Sequence, residues 1–225
     1  PAIRTAPAPR LAESRPLDEV AVTYVFDDLA LSPGTQRAWF GAVGERPLRW
    51  RRDRWEPARP GDTRRVNAGP SLGGERAAIA HAGGDAITVP RHVAAHLVAT
   101  YASTTRHAGA TSALRLLSLA LPLLPRAASS VLVPYADPDA DYTRTRFAII
   151  AQVRRDFASA QIVIHGADLY RTTALAAAWA ARALATRGAG LVGMRAPGEL
   201  FGGGAALREL AAAADLALDP SFDTA

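Results

Sequence analysis

Three short stretches carry side chains whose types and spacing suit chemistry. In SPGT, Ser32 and Thr35 offer hydroxyls beside the free backbone N–H groups of a helix start, a contact for an anion or a carbonyl oxygen. Simple N-capping uses the same groups. In GADLYRTT, Gly166 to Thr173, Asp168 can cap the helix that follows while Tyr170 projects from its first turn. In VPRH, Arg91 and His92 follow Pro90, and an arginine–histidine pair there can bind a carboxylate or phosphate, or donate a proton. A surface turn would place the same two residues there for no chemical purpose.

Other signatures are absent or misplaced. GAGLVG, Gly188 to Gly193, matches the dinucleotide fingerprint in letters only. The fingerprint needs a strand before the glycines and a helix after them, and here a helix precedes and Met194-Arg195-Ala196-Pro197 follows. The stretch reads instead as a helix C-cap with a short extended segment. His92 and His96 have chelating spacing, yet no nearby carboxylate completes a set, so no metal site is expected. There is no G-x-S-x-G elbow. RWRRDRW, Arg49 to Trp55, could be a basic patch with interleaved aromatics, but no nucleic-acid motif accompanies it. It reads as a hairpin with tryptophans on one face and solvated arginines on the other, and no nucleic-acid partner is expected.

These residues need elements to position them. EVAVTYVF, Glu19 to Phe26, has the β-branched and aromatic content of a buried strand. Ser32 and Pro33 then open a helix that Gly44 stops. LRWRRDRWEP reads as a hairpin turning at Arg52-Asp53, and Gly61 to Gly74 as a loop. Short strands are expected at Ala77 to His81, Asp85 to Pro90 and His96 to Ser103. Thr143 to Arg155 should be a long strand pairing antiparallel with ASAQIVIHG across an Arg155-Asp156 turn. Two helices, Tyr170 to Thr186 and Ala205 to Ala214, close the chain. Strands that come in pairs, not alternating singly with helices, predict an α+β fold: a largely antiparallel mixed sheet with helices packed on one face.

At 225 residues the chain can bury a full core, and 49% hydrophobic with 21% charged residues excludes disorder. All 26 basic residues are arginine, giving a net charge of +5, which suits an acidic partner but is scattered. Cysteine is absent, which excludes thiolate catalysis and disulfides and agrees with a cytoplasmic location. Residues 1–17, rich in Pro and Ala, read as a linker without a signal-peptide core, and 18–225 as one domain. The apolar run Leu114 to Leu124 is too short to span a bilayer. It suits a buried domain or dimer interface.

Taken in order, VAVTYVF…SPGTQRAW, LRWRRDRWEPARPGDTRR, DAITVPRHV, TRTRFAIIAQV and IVIHGADLYRTTALAAAWAARAL resemble the carboxyl-terminal half of saccharopine dehydrogenase-like oxidoreductases, a group that includes trans-acting enoyl reductases. The resemblance implies a substrate and dimerisation domain that covers the nicotinamide of NAD or NADP, the cofactor being bound mainly by a separate Rossmann domain whose fingerprint these residues lack. It implies hydride transfer to a C=N or C=C bond of a small-molecule or lipid-like substrate, in a homodimer. For relatives acting on lipids, it implies that the apolar run Leu114 to Leu124 lines an acyl pocket or makes peripheral membrane contact. Arg91, His92 and Tyr170 then become catalytic candidates, and Ser32, Thr35 and Asp168 candidates for facing substrate or cofactor. An alternative class is a non-catalytic module holding an apolar ligand or a partner subunit.

Overall fold

The computed structural model describes residues 15–43, 47–59, 61–104, 116, 140–187 and 192–219. Its centre is β1 (Glu19–Asp27), where Val20, Ala21, Val22, Thr23 and Val25 are all buried. A strand buried on both sides must lie inside a sheet covered on both faces, and the pairing places β1 between two other strands. β1 runs parallel to β6 (Leu97–Ser103) and antiparallel to β7 (Arg146–Arg155). β7 turns at Asp156, with φ of 51°, into β8 (Ala158–Ala167), and the two pair along ten residues. A short β9 (Ala217–Leu218) lies against Ile164 and His165 of β8.

The other edge of β6 divides. Its first residues take β2 (Leu48–Arg51), which pairs with β3 (Arg54–Pro57). Its last residues take β5 (Glu75–Ala80), which pairs with β4 (Thr63–Asn67). The described strands thus form one mixed nine-stranded sheet, and with the helices an α+β fold.

Strand alternation assigns the two faces. Ala21, Val25, Ala99, Tyr101, Ala148, Ile150 and Val163 form a core with Val66, Ala68, Leu72 and Ala78, so the β4–β5 arm and its Pro70–Leu72 turn fold back over this face. On the other face, Leu17, Val20, Ala95 and Val98 pack with Trp50, Val89, Val93 and Val153. Leu17 is buried and bridged to Ala95, so it belongs to this packed body.

The α-helices whose bounds fall among the described residues are α1 (Pro33–Val43), α2 (Asp85–Thr88), α3 (Leu169–Arg187), α4 (Pro197–Leu200) and α5 (Gly204–Ala213). α3 buries Thr172, Trp179 and Ala183, a helical spacing, and Trp179 meets Phe201 edge to face at 5.0 Å.

Two local expectations are corrected. Asp85 to Pro90 is not a strand: α2 occupies Asp85–Thr88 and a 3₁₀ turn Val89–Arg91. Its β-branched Ile87, Thr88 and Val89 favour a strand intrinsically, but tertiary bonds win, because Trp55 Nε1 donates to the Ala86 carbonyl and Tyr24 to the Asp85 carboxylate. Gly61 to Gly74 is not a plain loop, since β4 runs through it with Val66 as its one buried residue. The apolar run 114–124 and the GAGLVG glycines up to Gly190 lie outside the described residues, except that Leu116 is helical and exposed.

Candidate functional site

β1, β6 and β8 all end on the same side of the sheet, where Asp27, Arg146 and Ala167 stand in register across β1, β7 and β8. Thr145, fully buried, ties this end together. Its hydroxyl donates to the Asp28 carbonyl at 3.0 Å and accepts from the Ala30 N–H at 3.1 Å. Its own carbonyl accepts from the Asp168 N–H at 2.9 Å. One threonine therefore fixes both the path from β1 into α1 and the corner from β8 into α3. Asp28 and Asp168 both sit at positive φ (49° and 51°), which an aspartate tolerates better than most residues because its short side chain bonds locally.

These two paths bring Ser32, Thr35 and Tyr170 together. The Ser32 N–H donates to the Tyr170 hydroxyl at 2.7 Å, and that hydroxyl donates to the Thr35 oxygen at 3.0 Å. The Ser32 and Thr35 hydroxyls lie 3.0 Å apart, and Ser32 also caps α1 by accepting from the Thr35 N–H at 3.3 Å. Tyr142 packs edge to face on the Tyr170 ring at 5.3 Å. Burial would raise the Tyr170 phenol, but the hydrogen bonds at Ser32 and Thr35 outweigh it and hold the phenol below the usual tyrosine range. The result is a chain of three hydroxyls at a helix start, able to stabilise a phenolate and to pass a proton from one oxygen to the next.

Asp168 stands at the same corner as a cap, accepting from the Arg171 N–H at 3.0 Å. Arg91 and His92 do not join the cluster. Arg91 Nε pairs with Glu199 at 3.0 Å, and its Nη2 donates to the Met194 carbonyl at 2.9 Å. The His92 ring lies against Gly198, where a Cβ would come within 2.2 Å of Nε2, and its Nδ1 is 3.0 Å from the Thr88 carbonyl. Both side chains fasten the start of α4 to the 3₁₀ turn. Glu199 answers by accepting from the Ala196 N–H, and this bond, together with Arg91, holds its carboxyl below the usual range.

A second polar group lies under β1 and β6 and was not anticipated from the sequence. Tyr24 donates to both Asp85 oxygens at 3.1 and 3.2 Å, and the Thr100 hydroxyl reaches one of them at 3.4 Å. Burial, then the Asp85 charge, pushes the Tyr24 phenol far above its ordinary range. His81 is pushed down by burial, partly opposed by Asp85. The signal available was GGDAIT, two glycines and an aspartate ahead of a short helix, which the strand-like residues after it obscured. Thr145 and Tyr142 were missed as well, since neither forms a motif with its neighbours.

A shallow cleft of 160 Å³ opens at the opposite end, lined by Glu19, Arg64, Gln152, Arg154, Ser159 and Gln161 among others. Its charged and amide groups already serve one another: Arg64 bonds Glu19 and Gln152, Arg154 pairs with Glu19, and Gln152 bonds Gln161. Among the described residues no three metal-ligating side chains converge, and no helix is long and apolar enough to cross a membrane.

The fold and site define an α+β mixed-sheet domain with a hydroxyl cluster at the ends of its central strands. No protein-family model matches the chain, and no curated protein matches it either.

Proposed function

We propose that this chain is the substrate and dimerisation domain of a saccharopine dehydrogenase-like oxidoreductase, performing NAD(P)H-dependent hydride transfer to a C=N or C=C bond. The observation that carries the reading is the meeting of Ser32 and Thr35 with Tyr170. They come from two of the five stretches whose order carries the resemblance, and they converge across 135 residues of sequence on one hydrogen-bonded cluster. Reduction of such a bond needs a hydride at one atom and a proton at the other. The cofactor supplies the hydride when bound, and a phenol linked to two further hydroxyls is suited to deliver the proton and recover it through the chain. Asp168 and Thr145 set the position of Tyr170, and Arg91 and His92 act at a distance by seating α4. The substrate is a small or lipid-like molecule, and the domain works as a homodimer in the cytoplasm.

The test compares NADPH oxidation by the polypeptide as its gene encodes it, together with its nucleotide-binding domain, for the parent and for Tyr170→Phe. The variant should keep its affinity for NADPH and lose turnover. Unchanged turnover overturns the role of Tyr170, and tight NADPH binding by residues 1–225 alone overturns the division of labour.

A second reading is a non-catalytic assembly or binding module for an apolar ligand or partner subunit. It is favoured by the mutual saturation of the same hydroxyls, since Tyr170 both accepts from Ser32 and donates to Thr35. It expects Ser32, Thr35 and Tyr170 substitutions to lower stability without touching any turnover.

A further inference from the structure

The β2–β3 hairpin has two unlike faces. Its register places Leu48 opposite Pro57 and Trp50 opposite Trp55 on one side, and Arg49 opposite Glu56 and Arg51 opposite Arg54 on the other. Arg52 and Asp53 form the tip, both at positive φ (48° and 62°), the geometry of a tight turn whose twist matches its strands. Trp50 is used internally: its Nε1 donates to the Ala95 carbonyl, and its ring packs on the core of that face.

Trp55 is different. It lies at the edge of the sheet and stays 52% exposed, with Ile87 at 46% and Leu48 at 40%. Its indole N–H is already given to the Ala86 carbonyl at 2.9 Å, so the exposed part of the ring is apolar. Residues 48–59 carry five arginines (49, 51, 52, 54, 59) against Asp53 and Glu56, a net charge of +3. Glu56 is engaged by Arg49 at 2.7 Å and Arg51 at 3.5 Å, and Arg52 and Arg54 are exposed at the tip on either side of Asp53, so the positive excess is spread along the hairpin.

We propose that this hairpin docks on an anionic lipid surface, Trp55, Leu48 and Ile87 entering the headgroup boundary while Arg52 and Arg54 meet lipid phosphates. The inference is independent of the redox reading. An exposed apolar edge on a hairpin of net positive charge, with Arg52 at its tip and Arg54 leaving the face opposite Trp55, fits an interface that is apolar on one side and negatively charged on the other. A single-stranded nucleic acid would be held by a row of stacking rings along a basic groove, and here one ring is exposed with aliphatic neighbours that do not stack on bases.

The experiment is sedimentation of the chain with phosphatidylcholine vesicles and with the same vesicles containing phosphatidylglycerol, alongside a single-stranded oligonucleotide and polyglutamate in competition. Binding to the anionic vesicles alone is expected, weakening with added salt. Arg52→Gln with Arg54→Gln should reduce the partition coefficient about 25-fold, at roughly fivefold per arginine. Both are exposed, so the fold should survive, and an unchanged circular dichroism melt checks this. Trp55→Phe should abolish the tryptophan blue shift caused by anionic vesicles. The proposal is overturned by failure to bind anionic vesicles, by equal binding to neutral ones, or by indifference to the arginine pair. Tighter binding to the oligonucleotide or to polyglutamate than to the vesicles overturns it in favour of those acidic partners.

Discussion

Replacing Thr145 by valine keeps the volume of the side chain and removes its hydroxyl, which makes it a clean probe of the sheet end. In the parent that hydroxyl serves two backbone groups, the Asp28 carbonyl and the Ala30 N–H, from a residue with no exposed surface. Asp28 is itself exposed, so water can replace the lost donor at its carbonyl. The half-buried Ala30 N–H has no such ready substitute, and leaving a buried donor without an acceptor costs about 1–3 kcal/mol. For a chain of this size that corresponds to a fall in melting temperature of roughly 2–12 °C. Thr145→Ser keeps the hydroxyl and should lose only the contribution of a methyl group, about 1 kcal/mol. Because the same bonds guide the chain from β1 to Ser32, the valine variant should also release the Tyr170 phenol toward the ordinary tyrosine range, seen by ultraviolet titration of tyrosinate. A valine variant that melts with the parent, or melts lower with its phenol titration unchanged, would refute the idea that Thr145 sets the hydroxyl cluster.

Other expectations concern the packing and the second polar group. Gly83→Ala should destabilise by about 1–3 kcal/mol in a denaturant titration, because its Cβ would lie 2.4 Å from the Cγ2 of buried Thr100 in a central strand. Gly198→Ala should also destabilise, by driving a methyl group into the His92 ring, and His92→Ala in the same chain should restore much of the loss. An additive double-mutant cycle would deny that the two touch. The His81 pKa is depressed in the fold, first by burial, so the unfolded chain takes up the proton earlier as pH falls. Stability tied to His81 should be complete above about pH 6.5 and decline from there toward the lower folded value. Between pH 7.5 and 5.5 the melting temperature of His81→Gln should therefore fall less than the parent's.

Much of the architecture was readable because short-range signals carried it. EVAVTYVF, the Arg52-Asp53 hairpin, the long β7–β8 pair and the helices α3 and α5 follow from apolar periodicity and turn residues acting locally. α2 was not, since β-branched Ile87, Thr88 and Val89 favour a strand and the segment becomes helical where Tyr24, Trp55 and Thr100 reach it from elsewhere. β4 was hidden because one buried valine in TRRVN makes no alternating pattern. The site was legible in its parts and not in its assembly. Ser32, Thr35 and Tyr170 each stand at a recognisable helix start, whereas their meeting depends on the register of β1, β7 and β8 and on Thr145, a residue with no local signature. Arg91 and His92 looked chemical for the same reason that they bind α4: each presents polar atoms at the end of a short element, and the neighbour they serve lies about 100 residues away.

The most direct measurement of the proposed reductase activity is the single-turnover rate of NADPH oxidation by the full-length polypeptide on imine and enoyl substrates, compared between the parent, Tyr170→Phe and Arg91→Gln. Tyr170→Phe should lose roughly 100-fold or more, the scale of a missing general acid, with NADPH affinity retained and Arg91→Gln much closer to the parent. Equal rates for the parent and Tyr170→Phe, or a larger loss at Arg91 than at Tyr170, would contradict it.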